Sequence, residues 1–188
     1  MPNAIIIYES PKGWGHIASL GLVPGEYCLF ASRIVPEKGG YDLIEAYNTL
    51  DTKKKLVIAG GSRYQNDYLA SLKSMADPGK IIFTGHVTGE LLKEFFSYAY
   101  LFILPSYIEG LSNALLEAIS YQKCTLVSNI PENLEVIQDY GYSLNVGDKR
   151  DLAQKLAMLL SDPGMIAMME DKIRELGESK YTWDYIPA

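Results

Sequence analysis

Hydrophobic residues along the chain gather into short unbroken runs: "AIIIY" at 4–8, "YCLFAS" at 27–32, "KLVIAG" at 55–60, "KIIFTG" at 80–85, "LFILPS" at 101–106 and "TLVSN" at 125–129. Runs without polar alternation predict strands of a parallel sheet covered on both faces, because a half-exposed strand alternates. Between the runs the apolar positions change period. Leu43, Ile44, Tyr47 and Leu50 recur every three to four residues, as do Leu91, Leu92, Phe95, Phe96 and Ala99. Both sets predict helices packed on the sheet. Leu152, Leu156 and Leu159 mark a further helix that the break "SDPG" at 161–164 ends, and Ile166, Met169, Ile173 and Leu176 mark the next. Strand and helix in alternation predict a Rossmann-like, doubly wound parallel α/β sheet with helices on both faces.

Residues 9–26 interrupt this rhythm with four glycines and two prolines. The reading is an entry segment with a first strand over 1–26, in which "GWGH" at 13–16 is a hinge and His16 a linker residue, followed by the main domain at 27–188.

A length of 188 residues suits one core. The formal net charge of −6 makes nucleic acid an unfavoured partner, so any anion must be captured locally. Cys28 and Cys124 lie in or beside apolar runs, which favours buried thiols and a reducing compartment over a disulfide framework or metal site. No apolar stretch is long enough to cross a membrane, and "MPNAIIIYES" lacks the features of a signal peptide. A cytoplasmic location is expected, with peripheral membrane association left open for a full-length protein.

In an open α/β sheet ligands bind beyond the carboxyl ends of the strands. The loop after "YCLFAS" carries Arg33 and Lys38, that after "KLVIAG" carries "GSR", and that after "KIIFTG" carries "HV". The most informative loop follows "LFILPS". There "SYIEGLSNALLEA" runs through Glu109 and Gly110 into a helix that Ser112 or Asn113 is expected to cap, with Glu117 inside it. Such a helix start offers unpaired amides to a phosphate, yet its field contributes only about 0.3–1 kcal/mol at an exposed site. Charge-assisted bonds from Arg33 and Lys38 add roughly 1.5–3 kcal/mol each. The loops hold no Asp-x-Asp pair to carry a metal. Carboxylates repel phosphate but accept hydrogen bonds from hydroxyls, so Glu109 and Glu117 suit a polyol on either side of a diphosphate.

The motifs "SRIVPEKGG", "LVIAGG", "FTGHV", "ILPSYIEGLSNALLEAI" and "TLVSNIPENLEVI" together resemble the nucleotide-sugar-binding half of family 4 retaining glycosyltransferases, which have the GT-B fold. The resemblance covers roughly residues 27–160. Glu109 and Glu117, with seven residues between them, match the paired-glutamate signature of that family. It implies that Arg33 and Lys38 bind and stabilise the departing diphosphate, that Glu109 touches donor-sugar hydroxyls, and that Glu117 holds the ribose. The backbone of Leu111, Ser112, Asn113, Ala114 and Leu115, with Gly110, is expected to line the phosphates and sugar. Gly60, Gly61, His86 and Val87 are expected near the base and diphosphate. The donor is then a nucleoside diphosphate sugar, with no separate cofactor and no metal. Where that family often has a Gly-Gly pair, this chain has "IPENLE" at 130–135, which puts a backbone contact there in doubt. A GT-B enzyme also has a preceding acceptor-binding domain, so the reading is of a fragment that scarcely turns over alone.

Plainer alternatives stand beside these. Glu109 and Glu117 also fit dipole complementation and a solvated helix face, Arg33 and Lys38 fit pairing with Glu37 or Asp42, and His86 fits a strand-end hydrogen bond. The fourteen tyrosines fit packing and surface positions. A non-catalytic α/β nucleotide-binding or regulatory module is a rival reading, although a receiver-like domain needs acidic residues where Arg33 and Lys38 stand. A nucleotide-sugar epimerase-like relative of the GT-B fold is another.

Overall fold

The computed structural model describes residues 7–61 and 66–180. Six parallel strands, β1 (Tyr27–Ala31), β2 (Lys55–Ala59), β3 (Ile81–Gly85), β4 (Leu101–Leu104), β5 (Thr125–Ser128) and β6 (Tyr142–Leu144), form one sheet in the order β3-β2-β1-β4-β5-β6. This is the doubly wound order, and the strand sequence reverses between β1 and β4. β1, β4 and β5 are buried throughout, as their unbroken apolar runs require. β3 departs from that expectation. It forms one edge of the sheet, and only Ile81 is fully buried, since among the described residues no strand pairs with its outer side.

The helices are α1 (Gly15–Ser19), α2 (Gly40–Asn48), α3 (Asn66–Met75), α4 (Gly89–Tyr98), α5 (Asn113–Ser120), α6 (Pro131–Ile137), α7 (Lys149–Ser161) and α8 (Pro163–Lys180). α2 packs with α3 and α7, while α4 contacts α1 and α5, and α5 contacts α6. Right-handed crossovers from a strand order that reverses at β1 and β4 place these two groups on opposite faces. Most of the predicted stripe residues are buried: Leu43, Ile44 and Tyr47 on α2, Phe95 and Phe96 on α4, Leu152, Leu156 and Leu159 on α7, and Ile166, Met169 and Ile173 on α8, while Leu91 and Leu92 in the first turn of α4 are only half-buried and the side chain of Leu176 lies outside the described residues. Asp148 caps α7 by accepting from the Arg150 and Asp151 amides, and Pro163 opens α8 where the sequence break was expected.

Residues 9–26 correct the reading of an irregular entry segment. Despite its glycines, the segment forms α1, which places Ile17 in the core, and the turn after it buries Leu22. The His16 side chain, expected in a linker, places Nδ1 2.6 Å from Glu94 Oε1 on α4, and the Ile17 amide donates to Glu94 Oε2 at 2.9 Å. Two apolar anchors and one buried carboxylate thus outweigh the weak helix propensity of the stretch. The strand expected at 4–8 lies mostly outside the described residues. Tyr8 is not part of a strand; its amide donates to Ser120 O and its ring packs edge-on against Tyr121.

Candidate functional site

The reversal between β1 and β4 opens a crevice at their carboxyl ends, and both adjoining loops carry charged residues. After β1 the chain passes Arg33 and enters a 3-10 turn at Pro36–Lys38, which Gly39 closes in the left-handed region at φ 71°. A Cβ on Gly39 would lie 2.2 Å from Pro105 O, so only glycine lets the two loops touch. The Tyr107 amide donates to Glu37 O at 2.9 Å and fastens the loop after β4 against this turn.

That junction brings Lys38 and Glu109 together. Lys38 Nζ lies 2.7 Å from Glu109 Oε2, and the two side chains are only 11% and 6% exposed. Lys38 Nζ also donates to Ile108 O at 3.4 Å. The alternative partners behave differently. Asp42 accepts from Tyr107 Oη and faces Lys149 at 3.7 Å, while Lys149 also pairs with Glu45 at 2.6 Å. The bond to Asp42 pushes the Tyr107 hydroxyl up to about 12, with burial adding to it. Lys149 is raised chiefly by its hydrogen bond to Glu45.

Glu109 has a second anchor that sequence reasoning missed. Ser106 Oγ donates to Oε1 at 2.6 Å, Ser128 Oγ at the end of β5 donates to Ser106 O, and Asn133 Nδ2 on α6 donates to Ser128 Oγ at 3.0 Å. Ser106, Ser128 and Asn133 are buried. Their one advance signal was position: Ser106 and Ser128 each end an apolar run, and Asn133 lies in the "IPENLE" stretch.

Beyond Glu109, Gly110 is exposed with open space around it, and Leu111 is exposed. Ser112 caps α5, its Oγ accepting from the Leu115 amide at 3.3 Å. The amides of Asn113 and Ala114, at the first two positions of the helix, have no partner among the described residues. Leu115 turns its side chain into the core, and its amide is already bonded. Glu117, one turn on, is half-buried and has no hydrogen-bond or ion-pair partner among the described residues; burial raises its pKa.

On the other side of the crevice, the loops after β1, β2 and β3 are stitched in series. The Ser32 amide donates to Ala59 O, Ile34 to Gly61 O and Gly60 to Gly85 O. Gly61 lies against His86, where a Cβ would sit 3.5 Å from the His86 Cβ, while Val87 is half-buried against the core. Arg33 and His86 are exposed, and neither forms an ion pair among the described residues. Ser62 and Arg63 of the "GSR" loop lie outside the described residues. The structure therefore joins Lys38 to Glu109, sets the start of α5 behind them, and gathers Gly60, Gly61 and His86 in neighbouring loops. Neither Arg33 nor Glu117 forms a hydrogen bond or ion pair with Lys38 or Glu109 among the described residues. Among the described residues no group of three or more His, Cys, Asp and Glu side chains converges as a metal site, and no helix is long and apolar enough to cross a membrane.

The architecture matches known proteins. HepE of Anabaena, in a structure with UDP and glucose, superposes with a TM-score of 0.79 at 16% identity, over 89% of this chain and 47% of that one. The C-terminal domain of a glycosyl transferase group 1 family protein from Francisella tularensis superposes with a TM-score of 0.77 at 20% identity, over 95% of this chain and 97% of that one. In sequence, the chain is 30% identical over 163 residues to an uncharacterized glycosyltransferase of Methanocaldococcus jannaschii, covering 84% of this chain and 42% of that protein. The chain thus spans less than half the length of that relative. The family model for glycosyl transferases group 1 matches residues 18–177. This chain belongs to the glycosyl transferases group 1 family and has the Rossmann-like architecture of one half of a GT-B enzyme.

Proposed function

We propose that this chain is the donor-binding domain of a retaining glycosyltransferase that moves a sugar from a nucleoside diphosphate sugar to an acceptor. The observation that carries the reading is the Lys38–Glu109 pair, held at the β1–β4 reversal beside the amide-rich start of α5. Opposite charges at one point suit a ligand with opposite needs at adjacent atoms. The diphosphate needs cations and amides; the sugar beside it needs hydroxyl acceptors.

In this reading Lys38 and Arg33 bind the diphosphate, the Asn113 and Ala114 amides meet a phosphate oxygen, and Glu109 accepts from hydroxyls of the donor sugar. Glu117 accepts from the ribose, and Gly60, Gly61, His86 and Val87 border the base and diphosphate. Charge that develops on the departing diphosphate is stabilised by Lys38, Arg33 and the helix start, which assigns neutralisation to side chains and needs neither metal nor separate cofactor. Transfer to an acceptor is assigned to the longer enzyme, with a second domain closing over the crevice. The retaining outcome rests on the paired-glutamate resemblance.

Calorimetric titration of this chain with UDP, GDP and ADP and with their glucose and mannose derivatives tests donor binding. The expected result is binding of one nucleotide series, tighter with the sugar attached, and absence of binding at millimolar concentration overturns the reading. Anomeric configuration of the product, read by NMR on a full-length enzyme, tests retention.

A further inference from the structure

Glu109, in the loop after β4, stands at the end of a hydrogen-bonded chain that begins on α6. Asn133 Nδ2 donates to Ser128 O at 3.2 Å and to Ser128 Oγ at 3.0 Å. Ser128 Oγ donates its own hydrogen bond to Ser106 O, and Ser106 Oγ donates to Glu109 Oε1 at 2.6 Å. Each link has a fixed direction, since Nδ2 only donates and a hydroxyl has one proton to give. Asn133 thereby commits the Ser128 proton to Ser106 O, which fixes the peptide plane from which the Ser106 side chain reaches Glu109. Hydrogen bonds aligned in this way polarise one another.

We propose that Ser106, Ser128 and Asn133 are positioning residues that hold the Glu109 carboxylate in its sugar-binding orientation against the pull of Lys38. The proposal rests on the donor-site reading above. Lys38 lies 2.7 Å from Oε2 and attracts both carboxylate oxygens. Held by that cation alone, at one oxygen, the carboxylate keeps its freedom to rotate. Ser106 retains Oε1 with a bond as short as charge-assisted O–H···O⁻ pairs typically are. Each oxygen then keeps a lone pair for a sugar hydroxyl, because a carboxylate accepts at about four sites and the protein uses two.

Packing alone accounts poorly for Asn133. It is 1% exposed, and its Oδ1 has no hydrogen-bond partner among the described residues, so burying the amide leaves an unsatisfied carbonyl that an apolar residue would avoid. Its two Nδ2 bonds, both to Ser128, are what the amide provides.

The test compares wild type, Ser106→Ala, Ser106→Thr and Ser128→Ala by calorimetry, with UDP, GDP and ADP and their glucose and mannose derivatives as probes, and circular dichroism to verify folding. The measured quantity is the ratio of the Kd for a nucleoside diphosphate to that for its sugar derivative, which isolates the grip on the sugar. Loss of one bond to a charged group should lower this ratio about tenfold in Ser106→Ala. Ser106→Thr, which keeps the hydroxyl, should restore it, and a purely structural role would not show that rescue in the ratio. If Ser106→Ala fails to fold, Ser128→Ala is read in the same way, with a smaller fall expected. A wild-type ratio in the folded variants, or no rescue by threonine, overturns the positioning role while leaving the donor site intact. A wild type that binds nucleotide without preference for the sugar derivative also overturns it. A wild type that binds no nucleotide overturns both readings.

Discussion

Lys38 Nζ rests 2.7 Å from Glu109 Oε2, joining the turn after β1 to the loop after β4 in a site where both side chains are almost entirely enclosed. A buried pair contributes little beyond what apolar residues of similar size would, but removing one member strands the other. Lys38→Met should therefore destabilise the chain by about 3 kcal/mol in urea denaturation, whereas Lys38→Met combined with Glu109→Met should cost markedly less. Nucleotide affinity should fall in both variants. A single variant as stable as the double would show that the pair is solvated rather than enclosed.

Gly60 is the tightest point of the stitched loops. Its φ of 154° and a Cβ position 1.8 Å from Ser32 O leave no room for a side chain without moving the backbone that leads to Arg33. Gly60→Ala should cost more than about 2 kcal/mol and weaken nucleotide binding. Gly61→Ala is the control, since its nearest neighbour would be the His86 Cβ at 3.5 Å, and a change within about 0.5 kcal/mol is expected. Thermal unfolding of the two variants side by side distinguishes a steric requirement from general loop sensitivity.

Glu94 ties α1 to α4 and should make the fold acid-sensitive. Burial pushes its pKa up, but hydrogen bonds from His16 and the Ile17 amide outweigh that, and the net direction is below the ordinary 4.5. A carboxyl with a depressed folded-state pKa contributes stability that is complete above its unfolded value and disappears as pH falls through the folded one. The loss therefore belongs below about pH 4.5. Melting temperature followed from pH 7 to pH 3 should drop more steeply in wild type than in Glu94→Gln over that window, with the variant less stable at neutrality. Parallel curves would mean that the α1 contact contributes nothing to global stability.

The contacts of these residues explain what a sequence discloses and what it conceals. β1, β4 and β5 were readable because burial on both faces demands unbroken apolar runs, and the stripes on α2, α4 and α7 because burial on one face demands a 3.6-residue period. Lys38 and Glu109 were readable as residue types at strand ends. Their pairing was not, since local partners for Lys38 such as Glu37 and Asp42 are nearer in sequence, and only the β1–β4 adjacency places Glu109 within reach. β6 has three residues, too few to show a pattern, and the glycines and prolines around α1 mask a helix secured by Ile17 and Glu94. Ser106, Ser128 and Asn133 are short polar residues whose roles exist only through tertiary neighbours.

Glu117 carries the most direct conflict between stability and function. Half-buried on α5 without a partner among the described residues, it has a pKa raised by burial. For an acid whose folded-state pKa exceeds the unfolded one, the sign is opposite to that of Glu94. The folded state is penalised where both forms are ionised, the penalty shrinks as pH falls through the folded pKa, and it vanishes below the unfolded value. Glu117→Gln should accordingly raise the melting temperature at pH 7, and the gain should fade on acidification toward pH 4. The same substitution removes the acceptor proposed for the ribose hydroxyls, so nucleotide affinity should fall about tenfold, a decrease in the range of one charge-assisted bond. A carboxylate that destabilises the fold and strengthens ligand binding is one retained for the ligand. Calorimetry and pH-dependent melting on the one variant settle the point: a gain in stability with unchanged affinity would make Glu117 a mere surface residue of α5, and lost affinity without the pH-dependent gain would place its carboxylate in water.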